Sequence, residues 1–185
     1  MNVSQAIMQR RSIRKFLQKE VPVQQLTELV RLAGLAATGG NKQPLRFGIV
    51  SQKPLTGQVF SLLSWAMYLP DFSPAQQEQP AAYLILLSKE PNCAYELGAA
   101  STTVMLAAQE LGLSTCALAA YDKNKLASLL ELPEDLRPEL VIAVGYGAQN
   151  SRAVPFAGDI RYYQDEAGDF CVPKLALEQT LLFVK

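Results

Sequence analysis

No histidine occurs among the 185 residues, and that absence narrows the chemistry more than any single residue present. It removes the Ser/His/Asp triad, the usual Cys/His pair and every histidine-ligated zinc or iron site. Cysteine is scarce as well. Cys93, Cys116 and Cys171 are too few and too scattered for a disulfide framework, and no pair has metal-ligand spacing. Net charge is also lacking: seventeen basic residues cancel seventeen acidic ones, which argues against the concentrated basic surface that nucleic acid requires. No apolar run approaches the ~20 residues needed to span a bilayer. Met1 to Arg14 is polar and basic, without the apolar core of a signal peptide. These absences predict a soluble, cytoplasmic, thiol-reduced protein with neither nucleic-acid nor membrane partners. If it is an enzyme, its chemistry comes from carboxylate, lysine or tyrosine groups, or from a bound cofactor.

What is present suits a folded core. Hydrophobic residues make up 49% and charged residues 18%, and no repeat, low-complexity segment or linker breaks the chain, so one domain is expected over 1–185. A domain of this size buries ~70% of the surface its unfolded chain exposes. A first short helix is expected over 2–10, on Val3, Ala6 and Ile7. A second starts at Pro22, with Leu26, Leu29, Val30 and Ala33 on one face, and stops at Gly39-Gly40-Asn41. Arg46–Ser51 reads as a strand and 59–69 as a possible helix. Ala81–Ser88 is a near-continuous apolar run of strand length, as a central buried strand requires. Tyr95–Leu111 reads as a long helix of small residues, Thr115–Tyr121 as a strand, Lys123–Leu130 as a short helix and Leu140–Gly147 as a strand. The tail is turn-rich until Val172, with a short final helix near 175–180. Strands separated by helices suggest an α/β or α+β sandwich around a buried sheet.

Three segments could carry chemistry. Arg10, Arg11, Ser12, Arg14 and Lys15 place four cations and a hydroxyl within six residues. Guanidinium forks match phosphate oxygens and serine adds a neutral hydrogen bond, although a solvated basic surface has the same composition. Thr38-Gly39-Gly40-Asn41-Lys42-Gln43-Pro44 pairs glycines, which let a backbone approach a ligand, with amide side chains that donate and accept. A helix C-cap followed by a loop accounts for the same glycines. Cys116-Ala117-Leu118-Ala119-Ala120-Tyr121-Asp122 ends a strand with small residues, against which a flat ring could lie; any buried strand end looks similar.

Order in the chain raises these signals. The opening RRSIRKF, the later TGGNKQPLRF, the segment YELGAASTTVMLAAQELGLSTCALAAYD and the strand LVIAVGYG together resemble the flavin nitroreductase family over roughly Met1 to Gly147. The tail DIRYYQDEAGDFCVPKLALE resembles the ending of its shorter members.

The resemblance implies an α+β fold, with a central, mainly antiparallel sheet flanked by helices, in an intertwined homodimer holding FMN at the subunit interface. It assigns the phosphate and ribityl chain to Arg10 and Ser12, with Arg11 contributing through backbone or side chain. Arg14 takes the position whose cation faces the pyrimidine edge of the ring, where negative charge collects on reduction. Thr38, Gly39 and Asn41, with Gln43 close behind, reach across from the partner. Ala119 takes the position whose N–H points at flavin N5, and Ala120 follows it against the ring. The implied reaction is ping-pong hydride transfer from NADH or NADPH to a small-molecule acceptor such as a nitroaromatic or quinone.

Two departures stand out. The Lys-x-Arg motif that grips phosphate after the last strand in longer members is missing; Arg152, or less closely by position Arg161, could substitute. The segment 53–80 has no match, so Trp65, Met67 and Tyr68 either line a substrate pocket or pack as ordinary core or dimer contacts. Other readings remain: a dehalogenating or flavin-fragmenting relative, a non-catalytic flavin-binding dimer, or a basic N-terminus that contacts a protein or membrane.

Overall fold

The computed structural model describes all 185 residues. Its helices are α1 (Val3–Gln9), α2 (Val23–Ala33), α3 (Leu55–Leu62), α4 (Ala94–Glu110), α5 (Lys123–Leu129) and α6 (Leu177–Thr180). Its strands are β1 (Leu45–Val50), β2 (Ala82–Ser88), β3 (Ser114–Leu118), β4 (Arg137–Gly145), β5 (Ser151–Pro155), β6 (Tyr163–Gln164) and β7 (Phe170–Lys174). Strands β1-β2-β4-β3 form one four-stranded sheet in that spatial order, antiparallel at every pairing. The α+β expectation holds.

β2 explains the architecture. All seven of its residues are buried, because helices cover both faces of the sheet. Its side chains alternate between two cores, as a period of two requires. Ala82, Leu84 and Leu86 join Leu26 and Leu29 of α2 and Val104 and Ala108 of α4. Tyr83, Ile85 and Leu87 join Phe16, Val59 of α3, Trp65, Cys116 and Leu126 of α5. Burying one such leucine or isoleucine contributes about 1.5–3 kcal/mol.

Several boundaries depart from the sequence-based expectations, each for a local reason. α2 stops at Ala33 rather than at Gly39: the Gly34 amide closes it by donating to the Val30 carbonyl at 3.0 Å. α3 covers 55–62 rather than 59–69. Leu63 turns extended and pairs with Tyr121, and the Ser64 amide donates to the Ala120 carbonyl at 3.0 Å. Tertiary pairing thus outweighs a helical pattern there. β3 ends at Leu118, three residues early, and its continuation pairs with 63–64 instead. The tail is not merely turn-rich. It forms a second, three-stranded sheet in the order β5-β7-β6, with β5 parallel and β6 antiparallel to β7. No helix is long and apolar enough to cross a membrane.

Candidate active site

Residues 10–17 form no regular element but are fixed on both sides. α1, N-capped by the Asn2 side chain, ends where the Arg10 amide donates to the Ala6 carbonyl at 2.9 Å. The chain then runs along the free edge of β3. Ser12 bridges Thr115 in parallel, and the Ile13 amide donates to the Thr115 carbonyl at 2.9 Å. Farther on, the Ala148 amide donates to the Lys15 carbonyl and the Leu17 amide to the Tyr146 carbonyl, both at 2.8 Å. From the other side the Phe16 amide donates to the Glu78 carbonyl at 2.9 Å, and Lys15 Nζ donates to Glu78 Oε1 at 2.9 Å. Two glycines permit the approach. A Cβ on Gly145 would lie 2.9 Å from Phe16 Cδ1, and one on Gly147 would lie 2.7 Å from Ser114 Oγ.

The three arginines on this edge are held without acid partners. The ion pairs of the chain use Lys15, Arg31, Lys89, Lys123, Lys125, Arg152 and Arg161 but none of Arg10, Arg11 and Arg14. Arg14 is only 8% exposed. Its Nε donates to the Trp65 carbonyl at 2.8 Å, and its guanidinium carbon lies 4.5 Å from the Tyr162 ring centroid and 5.0 Å from that of Phe170. Arg10 is half-buried. Burial, and then the neighbouring Arg11 charge, lower its pKa from the usual arginine value, with Cys116 acting the other way. Arg11 Nη1 donates to the Arg10 carbonyl, while its Nε is buried with no acceptor. Unpaired cations out of bulk water are costly, and an anion among them relieves that cost.

Gln149 was not anticipated. Its Oε1 accepts from the amides of Arg14 at 3.2 Å and Lys15 at 2.9 Å, leaving its Nε2 buried without an acceptor. Tyr162 and Phe170 were also missed. They stand on an irregular loop and at a strand start, a placement with no periodic signal in sequence.

Ala119 and Ala120 lie just past β3 and are exposed, as is Ala117. The Ala120 carbonyl accepts from Ser64, but neither alanine's N–H meets an acceptor within the chain. Cys116, inside the same strand, is buried, and burial raises its thiol pKa even though Arg14 and Arg10 pull it down.

Thr38, Gly39, Asn41 and Gln43 sit elsewhere. Gly39–Asn41 makes a 3-10 turn ahead of β1, the opposite edge strand from β3. Three interstrand spacings, about 14 Å, separate the two edges. The loop is ordered by one bond to α4 and by bonds within itself: the Gly39 amide donates to Glu96 Oε1 at 3.0 Å, the Gln43 amide to Thr38 Oγ1 at 3.3 Å, and Gln43 Nε2 to Asn41 Oδ1 at 3.1 Å. Asn41 and Gln43 hold φ values of 55° and 49°, left-handed backbone that costs a non-glycine residue about 1–2 kcal/mol. One chain therefore does not bring this loop to the Arg10–Arg14 edge.

Arg152 lies on β5, where Nη2 donates to Asp165 Oδ2 at 2.8 Å and Nη1 lies 3.6 Å from Asp169 Oδ2. Arg161 pairs with Asp159 at 2.6 Å. A phosphate would have to displace carboxylates from either one, which leaves the unpaired arginines of the β3 edge as the better anion site. Trp65 packs in the core, 5% exposed, whereas Met67 is 81% exposed and Tyr68 38% exposed.

Comparison with known proteins identifies the family. A model of the nitroreductase family matches residues 7–92 and 88–146. A protein of Archaeoglobus fulgidus with the provisional name NADH dehydrogenase/NAD(P)H nitroreductase is 27% identical over 150 residues, spanning 76% of this chain and 82% of its own. The iodotyrosine deiodinase of Thermotoga neapolitana is 26% identical over 156 residues, spanning 74% and 84%. Among solved structures, a nitroreductase family protein of Clostridium difficile shares the fold at a TM-score of 0.71 and 18% identity, over 100% of this chain and 99% of that one. With family model, relatives and fold in agreement, the chain belongs to the nitroreductase family and is an oxidoreductase.

Proposed function

We propose that residues 1–185 form one FMN-binding domain of an NAD(P)H-dependent oxidoreductase that works in the cytoplasm as a homodimer and reduces nitroaromatic or quinone acceptors. The observation that carries the reading is the β3 edge, where Arg10, Arg11 and Arg14 lack any carboxylate counter-charge and Arg11 Nε is a buried donor without an acceptor. A phosphorylated, electron-accepting cofactor answers both needs. FMN held there would supply two-electron chemistry between NADH or NADPH and the acceptor.

The chain's own residues bind and orient. Arg10, Arg11 and Ser12 hold the phosphate and ribityl end. Arg14 sets a positive charge where the ring gains electrons. The unpartnered N–H of Ala119 is a donor toward flavin N5, and Ala120 continues the small-residue surface for a flat ring. Thr38, Gly39, Asn41 and Gln43 complete the site from the partner subunit. Their placement on the far edge of their own sheet supports that division, because one chain does not bring them to the arginines. A solved oxidoreductase described as containing FMN has the same fold at a TM-score of 0.65 and 18% identity. Three free, buried thiols suit a reducing compartment.

An absorption spectrum of the purified protein, repeated anaerobically with NADH or NADPH, tests this. The visible bands of oxidised flavin should be present and should bleach with a pyridine nucleotide. A colourless protein that takes up no added FMN would overturn the reading. A second reading, reductive dehalogenation, is favoured by the deiodinase name of the Thermotoga relative. Turnover of an iodinated tyrosine faster than of any nitroaromatic or quinone would establish it over the first.

A further inference from the structure

We propose that Tyr162, backed by Phe170, is a positioning residue that holds the Arg14 guanidinium as an uncompensated cation facing the flavin. The inference rests on the flavin reading above and concerns how this chain keeps Arg14 charged, planar and free to donate.

The second sheet and segment 65–72, which have little periodicity in sequence, meet over Arg14. Phe170, at the start of β7, is fully buried and stacks edge-on against Phe72, with centroids 5.4 Å apart and planes at 84°. Tyr162 lies 6.0 Å from Phe170 and 5.0 Å from Tyr68, centroid to centroid, and its hydroxyl accepts from the Tyr68 amide at 3.4 Å. Arg14 enters this aromatic corner with its guanidinium carbon 4.5 Å from the Tyr162 centroid and 5.0 Å from that of Phe170. Its Nε is spent on the Trp65 carbonyl at 2.8 Å. The guanidinium carbon lies against two rings and Nε is held by the carbonyl, so the two terminal nitrogens, which find no acceptor in the chain, are the donors left to a ligand.

The choice of aromatic faces has electrostatic meaning. A carboxylate would hold a buried arginine equally well but would cancel its field. Arg152, on the same small sheet, shows that alternative, gripped by Asp165 and Asp169. A π-face attracts the cation through its quadrupole and leaves the net positive charge intact. Aromatic holding is thus the arrangement expected for an arginine whose charge must be felt by something else.

The test measures the midpoint potential of FMN bound to the full-length protein for Tyr162→Ala, Tyr162→Leu and Tyr162→Phe, each also combined with Arg14→Gln, alongside thermal unfolding. Tyr162→Ala and Tyr162→Leu should weaken the preference for reduced over oxidised FMN by about fivefold, roughly 20 mV lower for a two-electron couple. Tyr162→Phe, which keeps the ring, should stay within about twofold of wild type, and in the Arg14→Gln background none should shift the potential further. The leucine variant keeps bulk without a π-face and carries the test if the alanine variant misfolds. A wild-type potential in Tyr162→Leu, or an equal shift in both backgrounds, would overturn the proposal while leaving the flavin reading intact. If Arg14→Gln alone moves neither potential nor affinity, the role given to Arg14 fails and the clamp falls with it.

Discussion

Replacing Arg14 with glutamine separates what this side chain does for the fold from what it does for the reaction. In the folded chain Arg14 is 8% exposed, has no acid partner, and makes a 2.8 Å bond to the Trp65 carbonyl and two aromatic contacts. Those contacts stabilise by about 1.5–3 kcal/mol for the hydrogen bond from a charged donor and up to ~2 kcal/mol for a desolvated cation–π pair. Against them stands the cost of keeping a cation out of water, which is of comparable size. The two largely offset, so Arg14→Gln should change the unfolding free energy of the flavin-free protein by no more than about 1 kcal/mol. Flavin energetics should respond much more. A charge-assisted hydrogen bond to the electron-rich edge of the reduced ring contributes about 1.5–3 kcal/mol, which lowers the two-electron midpoint potential by roughly 30–65 mV when it is lost. The direction follows from charge: removing a cation destabilises the reduced, more negative form. Arg14→Lys keeps the charge and should lose less than half of that. The assay is equilibration of bound FMN with a dye of known potential, alongside urea unfolding of the flavin-free protein. A wild-type potential in Arg14→Gln would refute the electrostatic role. A loss of several kcal/mol of stability would instead make Arg14 chiefly a structural residue.

Three further outcomes are expected along the same edge. Gly145→Ala places a Cβ 2.9 Å from a ring carbon of the fully buried Phe16, and should cost about 1–3 kcal/mol in urea unfolding and weaken FMN binding through residues 12–16; an unchanged unfolding midpoint would contradict it. The hydrogen bond from Lys15 holds the Glu78 carboxyl below its usual pKa, so its contribution is present above the unfolded value of about 4.3 and is lost as pH falls through the lower folded value. Glu78→Gln should therefore flatten the acid limb of stability against pH, and an unchanged acid limb would sink that assignment. All three cysteines are buried, and burial raises the Cys116 thiol pKa, so a chromogenic disulfide should titrate almost no thiol in the native protein and all three after unfolding. A fast-reacting thiol in the native state would count against the packing of β3.

The parts of the fold that could be read ahead of the structure are those where one physical pattern dominates. AAYLILLS has an almost unbroken apolar run because both faces of β2 are covered, and that run is the signature of a central strand. α2 declares its buried stripe through Leu26, Leu29 and Ala33, and its start through Pro22. The arginine cluster was legible as composition, and its neighbourhood was not. Nothing in Arg10 to Lys15 tells that Lys15 is neutralised by Glu78 while Arg10, Arg11 and Arg14 keep their charge. That division depends on the chain passing between 78 and 146–149, contacts that lie far from it in sequence.

The two stretches without a readable pattern, 53–80 and the tail, are the two that converge on Arg14. Trp65 supplies a carbonyl, Tyr162 and Phe170 supply ring faces, and Tyr68 and Phe72 brace those rings. None of these roles needs the periodicity of a strand or a helix, because each residue acts once, from a loop or an element end. Backbone carbonyls in particular leave no trace in composition. Holding a cation without neutralising it requires acceptors and π-faces gathered from distant segments, since a single element that offered a carboxylate would quench the charge. Irregular structure over Arg14 is therefore the expected consequence of keeping that charge available.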